Sequence, residues 1–412
     1  MPRVADGELA ARMAAIGAVL VEGAKATGKT ETAVQIAATT WRFDVDANAR
    51  TAVRLNPDAL FDNPTPVLFD EWQREPEVWD LVRRAVDDRG GKGLFVLTGS
   101  ATPRDDDHRH SGAGRIGTVR MRPMSLYESG HSTGQVSLAA LLDGQPSAGR
   151  GAGLGVPGLV ERIVVGGWPS LIGADQAQAR AWLADYLDMV ASVDLPTLGP
   201  RRNPGNVLRL MEALGRSVAQ PVRLTALAAD VGGDAGPVAT QTLTGYLDAL
   251  DRLMLTDNSE AWSPHMRSRT RLRTAPVRYF TDPSLGVAAL GVGTDELLAD
   301  LNATGLHFEA LAMRDLRVYA QPLGGTVSSW RDSNGREVDA VMTLPGRRWA
   351  AFEVKLDASR ADDAAASLRS FADSVDTTRH GLPAALVVIT GTGYPGTRPD
   401  GVHVVPVDAL GP

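Results

Sequence analysis

The stretch Gly23-Ala24-Lys25-Ala26-Thr27-Gly28-Lys29-Thr30 is a full G-x4-G-K-T match lying between an apolar run and a segment of helical spacing. Such a loop works only when a buried strand enters it and a helix leaves it. Its glycines then let backbone N–H groups curl around phosphate oxygens at the helix N-terminus. In that setting Lys29 reaches the β- and γ-phosphates of a nucleotide and the Thr30 hydroxyl is available to Mg²⁺. Gly23, Ala24, Lys25, Ala26, Thr27, Gly28, Lys29, Thr30 and Glu31 are therefore the candidate nucleotide-binding positions.

Alternation of strand and helix around the loop predicts a mostly parallel sheet covered by helices on both faces. Strands are expected over residues 16–21, 42–45, 66–69, 93–97 and 116–121, with helices over 30–40 and 77–88. The third strand runs into Asp70-Glu71, a second feature independent of the loop. Asp70 is placed to hold Mg²⁺ and Glu71 to orient and deprotonate an attacking water. The fourth strand ends Thr98-Gly99-Ser100, making Ser100 a candidate sensor of the γ-phosphate. Arg115 precedes the fifth strand; it is either an arginine finger for a neighbouring subunit of a homo-oligomer or an ordinary surface arginine.

Gly23–Thr30, Asp70-Glu71-Trp72-Gln73, Thr98-Gly99-Ser100-Ala101 and Gly114-Arg115 together resemble the prokaryotic AAA-type ATPases that carry a DUF4143 C-terminal region. The resemblance implies an α/β P-loop NTPase sheet that binds ATP with Mg²⁺. It also implies a helical lid, a winged-helix-like module and an α/β PD-(D/E)xK-like domain. The chain departs from it at Trp72, where a small aliphatic residue is usual, and in the glycine- and serine-rich segment 129–158, which looks like an insertion. The expected divisions are 1–125 for the ATPase core, 126–200 for insertion and lid, 201–285 for the winged-helix-like module and 286–412 for the last domain.

Only four of the 42 basic residues are lysines, and one of those outside the loop is Lys355 in Phe352-Glu353-Val354-Lys355. Lysine is a compact point charge, unlike the planar arginine fork. Asp339 lies upstream, and a turn at Pro345-Gly346 would set it beside Glu353. Glu353 and Lys355, two residues apart on a strand, share a face. Two such carboxylates can hold a divalent cation, with Lys355 positioning a nucleophilic water. Glu309, on a predicted helix, could supply another carboxylate. Glu309, Asp339, Glu353 and Lys355 match the PD-(D/E)xK nuclease pattern; the alternative is the same fold kept as a binding or assembly module.

Between these sites, helices are expected over 206–217, 224–230 and 240–253. Arg267, Arg269, Arg271 and Arg273 then alternate, so an extended chain would align four guanidinium groups toward DNA or RNA phosphates, or leave them as a solvated edge. Trp182, Tyr186 and Met189 have the spacing of a core-facing helical stripe. The net charge of −7 excludes a globally DNA-coating surface. Absence of cysteine excludes disulfides and thiolate chemistry. With no apolar run of membrane-spanning length and no signal-peptide core, the expected location is cytoplasmic.

Overall fold

The computed structural model of the protein describes residues 1–99, 111–198, 203–263, 275–332 and 334–412. The chain forms two compact units, Met1–Arg122 with Arg252–Met254, and Pro123–Asp251 with Leu255–Pro412.

In the first unit, α1 (Val4–Ala15) precedes β1 (Ala18–Glu22), and α2 (Lys29–Val34) follows the glycine loop. Then come β2 (Thr39–Arg42), α3 (Ala47–Leu55), α4 (Asp58–Phe61), β3 (Val67–Asp70), α5 (Glu77–Arg89), β4 (Phe95–Gly99) and β5 (Ile116–Arg120). The five strands are all parallel, in the order β2-β3-β4-β1-β5. Strands buried on both faces read as continuous apolar runs, and their side chains alternate between two cores. Val67, Phe69, Phe95 and Leu97 face one core with Phe43, Phe61, Val78 and Val82. Leu68, Val96, Val19 and Val21 face the other with Leu9 and Met13 of α1.

Two expectations for this sheet are corrected. The helix after the loop ends at Val34 rather than at 40, and β2 begins at Thr39 instead of at residue 42. Thr39, Thr40 and Trp41 are β-branched or aromatic and pair with Val67, Leu68 and Phe69, so sheet pairing overrides the helical spacing. The third helix of the unit, α3, was not foreseen; Asp46 caps it by accepting from the backbone N–H groups of Asn48 and Ala49.

In the second unit, segment 129–158 is not all loop. It contains β6 (Val136–Ser137) and a helix, Leu138–Leu142. Helices Pro204–Arg216, Leu224–Gly232 and Thr240–Arg252 follow the expected spacing. A small antiparallel ribbon joins β7 (Gln220–Pro221) to β8 (Val277–Arg278). The main sheet holds β9 (Thr326–Arg331), β10 (Glu337–Thr343), β11 (Trp349–Lys355), β12 (Ala385–Thr390), β13 (Gly396–Thr397) and β14 (His403–Pro406), in the order β13-β14-β12-β11-β10-β9. The final strand, β15 (Leu410–Gly411), pairs in parallel with β6. Helix Ala361–Ser374 packs Ala365, Leu368 and Phe371 against Val341, Trp349, Ala351 and Val388 of the sheet.

The stripe expected at Trp182, Tyr186 and Met189 is corrected at its last member: Met189 is 54% exposed. The core face of helix Gln176–Met189 passes instead through Ala179, Leu183 and Leu187. Trp182 and Tyr186 flank that face, stack on each other and pack at tilted angles against the buried Trp168.

Helix Leu301–Ala320 carries two buried features that set stability. Arg314 lies between Asp282, at 2.9 Å, and Asp315, at 2.7 Å, with almost no exposure for any of the three. His307 is also buried, and its Nδ1 has no partner among the described residues. Burial lowers the His307 pKa from 6.5 to about 4. Below pH 6.5 the unfolded chain takes up this proton and the folded one does not. The contribution is therefore complete above pH 6.5 and is lost as pH falls toward 4, by at most about 3 kcal/mol. His307→Leu is expected to lose less stability than wild type between about pH 7 and pH 4.5 in chemical denaturation.

Candidate functional site

Sheet order places the first site. β4 lies between β1 and β3, with Thr98 level with Val21 on one side and Asp70 on the other. The loop after β1 and the acids after β3 thus meet at the carboxyl end of the sheet, where parallel α/β sheets bind ligands. The loop is closely packed: a Cβ added at Gly23 would stand 2.2 Å from the Met121 carbonyl oxygen. Arg3 donates to the carbonyls of Thr27 and Arg122, both at 2.8 Å, tying the loop to the chain beyond β5.

Lys29 Nζ donates to the carbonyl oxygens of Gly23, at 3.0 Å, and Ala24, at 2.8 Å. Burial lowers its pKa to about 8, against the nearby Glu71 and Asp70 carboxylates, which favour its charge. Thr30 Oγ1 donates to Asp70 Oδ1 at 2.8 Å, and the Thr98 hydroxyl donates to the same oxygen. A hydroxyl and a carboxylate side by side are hard oxygen donors, a set that fits Mg²⁺. Glu71 has left-handed backbone geometry (φ 55°) and accepts from Gln73 Nε2 at 2.6 Å. Burial, then the Asp70 charge, raise the Glu71 pKa, while Lys29 and the Gln73 hydrogen bond oppose the rise. These groups line a cleft of about 370 Å³ with Lys25, Asp44 and Arg74. Glu31 lines it as well.

The second site is built on β10 and β11, which form the expected antiparallel pair around Pro345–Arg347. Ala340 opposite Phe352 puts Asp339 beside Glu353, and Asp339 Oδ2 accepts from the Val354 backbone N–H at 2.7 Å. Lys355 Nζ contacts Glu353 at 2.7 Å and Asp339 at 3.5 Å. Glu309 reaches the same place from helix Leu301–Ala320, where the Tyr279 hydroxyl donates to it. Burial and then the Asp339 charge raise the Glu309 pKa well above the ordinary range and that of Glu353 to about 8. Lys355 would be lowered by burial, but Asp339 and Glu353 outweigh this and raise it. Tyr279, Glu309 and Asp339 line a cleft of about 320 Å³ with Gln220 and Trp330. Among the described residues no group of three or more histidines or carboxylates has the arrangement of a metal site. Lys355 is ion-paired to both Asp339 and Glu353, and the Glu309 carboxyl lies within electrostatic reach of all three.

Three family models match parts of this chain. Residues 16–130 match the model of an AAA domain, and residues 304–410 match a domain of unknown function, DUF4143. The chain contains an AAA-type P-loop ATPase domain and a DUF4143 region. Between them, residues 157–296 match a second domain of unknown function, DUF8612. The uncharacterized proteins Rv2008c of Mycobacterium tuberculosis and Mb2031c of Mycobacterium bovis are each 24% identical over 381 residues, covering 86% of this chain and 78% of theirs. The Walker-type ATPase PABY2304 of Pyrococcus abyssi has 14% identity and a TM-score of 0.43, over 69% of this chain and 94% of its own.

Lys29, Thr30, Asp70 and Glu71 come together in the AAA-type domain, and Glu309, Asp339, Glu353 and Lys355 in the DUF4143 region. Arg115 lies away from the AAA-type cleft lining and is held by Asp87, its Nε at 2.8 Å. Ser100 and the four arginines 267, 269, 271 and 273 lie outside the described residues. Sequence reasoning missed Arg3, Gln73, Arg74, Thr98 and Tyr279. Gln73 and Thr98 were visible inside quoted motifs, but their contacts with Glu71 and Asp70 depend on strand register. Tyr279 had no signal, since its acid partner is 30 residues away. No helix among the described residues is long and apolar enough to cross a membrane.

Proposed function

We propose that the chain hydrolyses ATP and acts on nucleic acid through its C-terminal region. The observation that carries the ATPase reading is the hydrogen bond from Thr30 to Asp70 at 2.8 Å, which joins the two phosphate-site motifs in one cleft with Lys29 and Glu71. Lys29 exchanges its two carbonyl partners for phosphate oxygens. Glu71 takes the proton of the attacking water, and its raised pKa suits it to a base working near neutrality. Thr30 and Asp70 would hold Mg²⁺, which when bound offsets charge on the β- and γ-phosphates. Ser100 is the proposed sensor, and Arg115 the proposed finger for a neighbouring copy, which requires it to leave Asp87.

In the C-terminal region we assign 201–285 a winged-helix-like role and 286–412 a PD-(D/E)xK-like one, with 1–125 as ATPase core and 126–200 as insertion and lid. Asp339 and Glu353, with Glu309, would have to rearrange and release Lys355 to hold a divalent cation, which would supply an activated water for phosphodiester cleavage. Lys355 keeps a proton at Nζ beside the reacting phosphate, and Tyr279 fixes the Glu309 carboxyl. DNA or RNA backbone contacts are assigned to Arg267, Arg269, Arg271 and Arg273. A second reading is favoured by the Lys355 ion pairs, which already engage Asp339 and Glu353. On that reading the region binds a partner without cleaving it, and nucleotide gates the contact.

Cleavage of plasmid, linear duplex, single-stranded DNA and RNA with Mg²⁺ or Mn²⁺, with and without ATP, separates the two. The nuclease reading expects products from wild type, none from Glu353→Ala or Lys355→Ala, and fewer from Lys29→Ala. Intact substrate in every lane from a protein that still turns over ATP would favour the binding module.

A further inference from the structure

Arg74 belongs to no motif that nominates it, yet it stands in the nucleotide cleft. It ends the short turn Trp72–Arg74 that follows Glu71. Backbone hydrogen bonds from Arg74 N to the Glu71 carbonyl and from Glu75 N to the Trp72 carbonyl, both 3.0 Å, close this turn. Trp72 is buried beneath it, and Gln73 turns inward to hold Glu71. Gly99 leaves the room this requires, since a Cβ there would meet Gln73 Oε1 at 2.7 Å and Trp72 Nε1 at 3.0 Å. The inward side chains therefore fix where the third member of the turn emerges, and Arg74 emerges on the cleft with Lys25, Lys29, Thr30, Asp70 and Glu71.

Beyond that backbone bond, the Arg74 guanidinium makes no hydrogen bond or ion pair to another described residue, although carboxylates of Asp44, Asp70 and Glu71 line the same cleft. Arg115, by contrast, is bonded to Asp87 at 2.8 Å. A guanidinium stays charged at any working pH and presents a fork of N–H donors suited to phosphate oxygens. Unpaired among the described residues, that of Arg74 lies on the same cleft as Lys29 and Thr30, the residues assigned to the phosphates and Mg²⁺.

We propose that Arg74 is a catalytic residue, binding the γ-phosphate of ATP on its own chain. The inference rests on the ATPase reading above. In hydrolysis, water oxygen forms the new bond to γ-phosphorus and its proton passes to Glu71. The bond from phosphorus to the bridging oxygen breaks, and its electron pair leaves with ADP. Arg74 exchanges no proton; its N–H groups stabilise the charge on the transferring phosphoryl oxygens.

Arg74→Ala, Arg74→Lys, Lys29→Ala and the surface control Arg84→Ala test this in the full chain. The measurements are equilibrium binding of ADP and of a non-hydrolysable ATP analogue, and the rate of phosphate release. Arg74→Ala is expected to bind ADP within about twofold of wild type, to bind the ATP analogue about tenfold more weakly, and to lose about 100-fold in kcat. Arg74→Lys should regain part of the binding and little of the rate, because a point charge does not replace the fork. Arg84→Ala should match wild type. Turnover lost in Lys29→Ala but retained in Arg74→Ala, with an unchanged ATP-to-ADP affinity ratio, overturns the role of Arg74 alone. A wild-type protein that neither binds nor hydrolyses ATP overturns this inference and the ATPase reading together.

Discussion

Glu71→Gln is expected to bind ATP as wild type does and to release phosphate about 100- to 10,000-fold more slowly. The amide keeps the size of the carboxylate and can still accept from Gln73, so the turn after β3 has no reason to move. It cannot take a proton from water. Burial and the Asp70 charge raise the pKa of the carboxyl in the native protein, the direction that makes it a better base near neutrality. Separating the two effects requires both measurements, nucleotide affinity at equilibrium and phosphate release at saturation. A large loss of affinity would mean that Glu71 serves the loop structurally; an unchanged rate would place the base elsewhere.

Arg314→Leu is expected to destabilise the second unit by about 3–5 kcal/mol. The arginine donates to Asp282 and Asp315 together, and it is buried with both. Each acid also orders backbone from elsewhere: Asp282 accepts from the N–H groups of Gly167 and Ser284, and Asp315 from that of Leu126. Leucine would fill part of the space and leave two carboxylates buried without their cation, the costly way to break such a triad. Arg314→Lys should lie between, because an ammonium cannot bridge both acids with a planar fork. The check is the denaturant midpoint of the transition belonging to that unit, followed by the fluorescence of Trp168, which its neighbour Ser284 ties to Asp282. A shift below about 1 kcal/mol would show that water reaches the acids and solvates them.

Much of the nucleotide site was legible because its chemistry is local. The glycine loop must stand between a strand and a helix, and Asp70-Glu71 must end a strand, so two short motifs located four side chains before any register was known. The second site was legible for a similar reason: a turn between β10 and β11 leaves little choice about what faces Asp339. What escaped reading depends on contacts distant in sequence. The pairing of β2 with β3 drew Thr39 and Thr40 out of an expected helix. The docking of segment 129–158 on the chain end rests on non-local bonds such as Ser132 Oγ to the Leu410 carbonyl, at 2.6 Å. Arg74 directly follows the Asp70-Glu71-Trp72-Gln73 motif, but only the folded turn shows that it emerges on the cleft; Tyr279 has ordinary sequence surroundings and meets its acid only in the fold. The limits of helical periodicity show at Met189, which spacing assigned to the core-facing stripe and the structure leaves exposed.

Phosphate release by the purified full chain with ATP and Mg²⁺, with Lys29→Ala run beside it, tests the nucleotide site most directly. Steady turnover by wild type, reduced by at least about 100-fold in Lys29→Ala, is the expected result. Equal rates from the two proteins, or no turnover by a folded wild type that also fails to bind ATP, would contradict it.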